Sequence, residues 1–136
     1  MKSKNLLFSA TAIILVLLGL SAYKMVKDPW KVPEEYKNKK NTVQATDESL
    51  EYGKEIYDMS CASCHGKSGE GNGVKAKNLN IELFDLTSSE YHTKFTDGDI
   101  YYQSFIGRYK WHDFRRGITD EEDRWNVVNY IRSMNK

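Results

Sequence analysis

Hydrophobic and polar positions divide this chain into unlike parts. Residues 6–23 form an uncharged run of 18 residues, mostly Leu, Ile, Val, Ala and Phe. Beyond it, apolar residues recur only at helical spacing between charged ones. A first amphipathic helix is predicted to start at Thr46 or Asp47, either a good N-cap, with Glu48 in its first turn. It carries Leu50, Gly53, Ile56 and Tyr57 at helical spacing and leads into Cys61. Gly66, Gly69, Gly71 and Gly73 then mark a loop too flexible for regular structure. Residues 79–95 read as a loop with a short turn. A further helix is expected after Thr96-Asp97, with Ile100, Tyr101, Ser104 and Phe105 on one side and a stop at Gly107. The last helix has the clearest signal. Thr119 with Glu122 makes a capping box, and Trp125, Val128, Ile131 and Met134 follow on helical spacing. The pattern predicts an all-α domain of short helices and long loops.

At 136 residues there is room for one ordinary domain. Three regions follow: an N-terminal anchor or signal peptide over residues 1–23, a flexible linker over 24–46, and the domain proper over 47–136. As a helix, the apolar run would reach roughly 27 Å, just enough for a bilayer core of about 30 Å. Lys2 and Lys4 precede it, which suits a cytoplasmic N-terminus. A cleaved signal peptide also has a basic start and an apolar core, and Gly19-Leu20-Ser21 is a passable cleavage site. The run is longer than a usual signal core, which favours the anchor, and both readings export the rest of the chain. No Cys stands near its end, so a lipid-modified cysteine is excluded. Pro29, Pro33 and the charged segment EEYKNKKN over residues 34–41 give the linker its character.

Charge excludes one class of function. The chain carries a net charge of +1, and residues 49–136 hold 12 Lys plus Arg against 14 Asp plus Glu. A nearly neutral domain offers no footprint for nucleic acid.

The chemistry lies in Cys61-Ala62-Ser63-Cys64-His65, a C-x-x-C-H sequence of the kind that attaches c-type haem. In a helical turn, positions i, i+3 and i+4 share a face, so both thiols and the imidazole can meet one porphyrin. The thiols would form thioethers and His65 would bind the iron. These are the only two Cys in the chain. A thioredoxin-type dithiol would follow a strand, and no strand is visible. A zinc site would need two more ligands, with only His92 and His112 to supply them. A disulfide across two residues is strained and rare. A thin core for about 90 residues also hints that a cofactor fills the middle.

On these residues, together with Gly53, Tyr57 and Cys61 standing four apart and with Val127, Tyr130 and Ile131 near the end, residues 49–136 resemble a class I monohaem cytochrome c domain. The stretch from Asp120 through Arg132 is especially similar to membrane-anchored bacterial members. The resemblance implies one covalent haem c with its iron, an N-terminal helix crossing a C-terminal one, and single-electron transfer rather than catalysis. It also implies attachment on the outer side of the bacterial membrane. The chain would then be a single-pass inner-membrane protein with its haem domain in the periplasm, exchanging electrons with membrane or periplasmic redox proteins of a respiratory chain.

One departure stands out. The family's second axial ligand is a Met before the last helix, but residues 107–119 read GRYKWHDFRRGIT and hold no Met. Trp111 falls on the expected Met position and His112 on the Pro that follows it. His112 is therefore the leading sixth ligand. An open site capped by Trp111, or ligation by His92 or Lys110, are the alternatives. An open position would suit a ligand-binding, sensing or peroxidase-like haem protein instead.

Overall fold

The computed structural model describes residues 31–79, 83–107, 114 and 117–136. The chain divides into two compact units, Met1–Lys31 and Val32–Lys136, and every described helix belongs to the second. In chain order these are α1 (Glu34–Lys37), α2 (Asp47–Ser60), α3 (Ala62–His65), α4 (Val74–Leu79), α5 (Ser89–Lys94), α6 (Asp97–Tyr101) with a π turn (Tyr102–Ile106), and α7 (Glu121–Ser133). Among the described residues there is no strand, in agreement with the all-α expectation. None of the described helices is long and apolar enough to cross a membrane. The apolar run at 6–23, expected to be the anchor, lies outside the described residues.

Two helices make the frame. In α2, the Thr46 hydroxyl accepts from the Ser49 N–H at 3.2 Å, and Asp47 and Glu48 in the first turn complement the helix dipole. Among the described residues, no other pair of elements packs as extensively as α2 on α7. Gly53 sits at their contact. A Cβ there would run into the Asn126 carbonyl and lie 3.1 Å from the Tyr130 Cβ. The helices therefore approach closely only because Gly53 has no side chain. The Tyr57 and Tyr130 rings meet edge-on at 5.3 Å beside that contact. Around it lie the largest fully buried side chains: Trp125, Tyr57, Phe105, Ile100, Val127 and Val128.

Three expectations need correction. Residues 32–46, assigned above to a flexible linker, are folded onto the domain. Val32 is buried, and the Tyr36 ring lies 4.8 Å from that of Tyr102. The Thr96 hydroxyl donates to the Lys37 carbonyl at 3.2 Å, and the Asn41 amide donates to Asn129 at 2.7 Å. The strap is held by polar partners far along the chain, which a search for an apolar face cannot register. Within 79–95, α5 forms where a loop was expected, because Ser88 caps it by accepting from the Tyr91 N–H at 3.3 Å. The cap of α7 is Asp120, not Thr119: its carboxylate accepts from the Glu122 N–H at 2.8 Å. The Thr119 carbonyl is taken by Arg124 at 3.1 Å. The capping box is found at Thr96 and Asp99, at the start of α6.

Candidate functional site

The Cys61 N–H closes α2 by donating to the Tyr57 carbonyl at 2.8 Å, and Cys61 itself (φ −114°, ψ −38°) turns the chain into α3. The N–H groups of Cys64 and His65 both donate to the Cys61 carbonyl, at 3.1 and 3.0 Å. Cys61, Cys64 and His65 are thus gathered on one helical turn, all three half-buried, with the two thiols unbonded to each other.

The end of a helix leaves carbonyls without intrahelical donors, and here those of Ala62, Cys64 and His65 each have a partner. The Gly66 N–H donates to the Ala62 carbonyl at 2.8 Å. Gly66 then takes a left-handed φ of 81°, which stops the helix. Gly73 donates to the Cys64 carbonyl at 3.0 Å and Gly71 to that of His65 at 2.8 Å. The buried Tyr57 hydroxyl donates to the Gly66 carbonyl at 2.8 Å, and its burial raises its pKa well above the ordinary phenol range. The glycine-rich loop, expected to be merely flexible, is a backbone brace around the Cys–His turn. A Cβ on Gly73 would strike the Cys64 carbonyl, so at that position a glycine is required.

Electrostatics separates the chemical readings of the two cysteines. Burial, reinforced by the neighbouring Cys64, pushes the Cys61 thiol up to about 12. A redox dithiol needs the opposite shift, toward a thiolate at neutral pH. Zinc would need further ligands, and among the described residues no three His, Cys, Asp or Glu side chains are grouped to hold a metal ion. Two thiols and one imidazole on a braced turn do fit a haem, which needs two thioether positions and one axial nitrogen. A further mark of fit is Gln103 on the π turn. It is 9% exposed, and its Nε2 has no acceptor.

The family model described as "Cytochrome c" matches residues 50–135, most of the second unit. The chain belongs to the cytochrome c family. No curated protein matches it. The family binds haem c, covalently attached and carrying iron, and its domains transfer electrons to and from redox partners. The domain is accordingly that of an electron carrier.

The remaining candidates for the iron separate clearly. His92 is occupied: its Nε2 lies 2.8 Å from the Leu86 carbonyl, and its Nδ1 3.3 Å from the Arg132 guanidinium. A carbonyl can only accept, so Nε2 carries the proton and Nδ1 accepts. His92 is a tie between α5 and α7. Met59 is 78% exposed, and the Met134 sulfur packs where a Gly69 Cβ would be. Trp111, His112 and Lys110 lie outside the described residues.

Sequence reasoning missed Tyr57 as a hydrogen-bond donor and the pair Asn126 and Asn129. Ser49 donates to Asn126 at 2.6 Å and accepts from Asn129 at 3.0 Å inside the helix crossing. The one available signal was that two Asn occupy core positions of α7, where burial demands partners.

Proposed function

We propose that the chain carries one haem joined to Cys61 and Cys64, with His65 as proximal ligand and His112 as sixth ligand in place of the usual Met. It is read as a class I-type cytochrome that passes single electrons in a respiratory chain. The observation that carries this reading is the braced turn that gathers two unbonded thiols and an imidazole within a cytochrome c domain.

The bound haem supplies a one-electron ferric–ferrous couple. The protein's residues do the rest. Cys61 and Cys64 fix the porphyrin to α3. Gly71, Gly73 and Tyr57 hold the carbonyls of that turn, so His65 is presented from a rigid base. Lys67, Lys75 and Lys77 are exposed on the segments that follow the turn. With Arg108, Lys110, Arg115 and Arg116 they would form a docking rim for a redox partner. Thioether ligation raises a haem potential, so His in its place gives a lower one than in His/Met relatives. A titration yielding an equally high value would count against bis-His ligation.

We read residues 6–23 as an inner-membrane anchor with the haem domain in the periplasm. With residues 32–46 folded onto the domain, at most residues 24–31 can serve as the tether. Fully extended, they span at most about 28 Å. The tether keeps the domain near the membrane and favours a membrane-bound donor or acceptor, or a permanent place in a larger complex.

A second reading, a ligand-binding haem with an open sixth position, is favoured by one observation. Met59, Met134 and His92 are all engaged or turned away from such a role. Absorption and EPR spectra of the full chain, made in cells that mature c-type cytochromes, decide between the two. Low-spin bis-His signals support the carrier. A high-spin ferrous form that takes up CO readily supports the second reading. A colourless product with the mass of the bare polypeptide sinks both.

A further inference from the structure

Gln103 is the side chain whose chemistry the fold leaves unused. It lies on the π turn Tyr102–Ile106, which ends at Gly107 just before the segment carrying Trp111 and His112. Single π turns are rare and frequently occur at functional sites. The faces of this turn can be sorted by their partners. Tyr101 stacks on Trp125 of α7 at 4.5 Å and meets Phe105 at 5.4 Å, so these two look toward α7. Tyr102 looks toward the strap, against Tyr36. Residues one or two apart do not share a helical face, so Gln103 belongs to neither side. It is nonetheless buried, with no acceptor for its Nε2.

A buried amide N–H without a partner costs free energy, and native proteins rarely keep one. The Trp125 indole N–H, also buried, has a nearby answer: it helps lower the pKa of the Glu121 carboxylate one turn earlier on α7, after Lys39. Gln103 has none of its own. We propose that Gln103 is a haem-binding residue whose amide N–H donates to an acceptor oxygen that the cofactor brings into the domain. A haem brings such oxygens in its propionate carboxylates and, under the open-site reading, in a small ligand held on the iron. The inference rests on the haem reading above.

The test uses the full chain with haem attached and the variant Gln103→Leu, which keeps the shape and loses the donor. If the acceptor is a propionate, its negative charge is left less compensated and the ferric form gains. The midpoint potential then falls, by about a tenfold shift in the redox equilibrium, or about 59 mV for one electron, with the C–O stretch of the ferrous CO form unchanged. If the acceptor is the iron-bound ligand, that stretch moves up instead. A variant that carries haem and leaves both quantities at their wild-type values overturns the proposal while the haem reading stands. A wild-type chain without haem overturns both. Should Gln103→Leu fail to fold, proton NMR of the wild-type ferric protein serves. The Gln103 side-chain amide is expected to show a paramagnetic displacement, and an undisplaced resonance refutes the contact.

Discussion

Two structures grip α7, and they are built on opposite principles. On one side α2 crosses it through Gly53, with Ile56, Tyr57, Val127 and Val128 buried around the contact. On the other the strap at residues 32–46 holds it through Asn41 on Asn129 and Lys39 on Glu121. The crossing is close, apolar apart from the buried Ser49, Asn126 and Asn129 hydrogen bonds, and intolerant of an atom added at Gly53. The strap holds α7 through separate polar contacts, while Val32 and Tyr36 pack it elsewhere on the domain. The two meet at Asn129, which donates to Ser49 of α2 and to the Val43 carbonyl of the strap, at 3.0 and 3.1 Å. Such a division has a functional logic. Cys61 follows directly from α2, so the crossing sets where the haem turn stands, whereas the strap only joins the domain to what precedes it.

The comparison makes the crossing the more sensitive of the two, and the largest expected effect is Gly53→Val. The branched side chain would meet the Asn126 backbone, which cannot move without shifting α7. Overpacking of this kind costs about 3 kcal/mol or more, well above the gain from removing a helix glycine, about 1 kcal/mol. Thermal unfolding of the haem-loaded chain should fall by over ten degrees, at roughly 4–8 °C per kcal/mol for a domain of this size. A shift of only a few degrees would mean that the crossing yields and is not the rigid partner of the pair.

Asn129→Ala attacks the point the two grips share. It removes donors to Ser49 and Val43 and the acceptor of the Asn41 amide, leaving those groups with lost partners. The expected loss is about 2 kcal/mol in denaturant unfolding. Because the strap loses more of its contacts than the crossing does, hydrogen exchange should rise first at Val43, whose N–H is held by Asn41. Faster exchange spread evenly over α2 instead would place Asn129 in the crossing alone.

The two grips also differ in how far the sequence reveals them. Periodic apolar positions announce α2 and α7, and the family resemblance implies that the two helices cross. The C-x-x-C-H turn is equally plain, because its three groups are adjacent in sequence. The strap is invisible to the same reading. Its partners, Asn41 with Asn129 or Thr96 with the Lys37 carbonyl, are separated by 88 and 59 positions, and no local pattern encodes them. The brace around α3 was hidden for another reason. It consists of backbone N–H groups of Gly71 and Gly73, and glycines alone signal flexibility as readily as close approach. Arg132 was read as part of a family pattern, yet it ties Asp97, the Phe95 carbonyl and His92 together at 2.6 to 3.3 Å.

The smallest effect belongs to the strap's outer edge. Lys39 pairs with Glu121 at 2.8 Å and lies over the rings of Tyr101 and Trp125, 5.4 and 5.9 Å from their centroids. The hydrogen bond from Lys39 holds the Glu121 carboxyl below its ordinary range, and the bond to Glu121 raises the Lys39 pKa. For Glu121, the unfolded chain binds the proton more tightly. Its contribution is present above the unfolded carboxyl pKa and is lost as pH falls through the lower, folded one. For Lys39 the sign reverses: its contribution holds below the unfolded ammonium pKa and disappears as pH rises through the raised one. The pair therefore supports a plateau across neutral pH with a shoulder at each end. Lys39→Met keeps the apolar stem over the rings and removes the charge. With both partners substantially exposed, the expected loss at pH 7 is under about 1 kcal/mol, smaller still in high salt. The variant's stability should run flatter than the wild type's through the acidic and alkaline shoulders and converge with it at both extremes. A loss of constant size from acid to alkali would assign the contribution of Lys39 to its stem on the two rings, and the strap would then grip α7 by packing, as the crossing does.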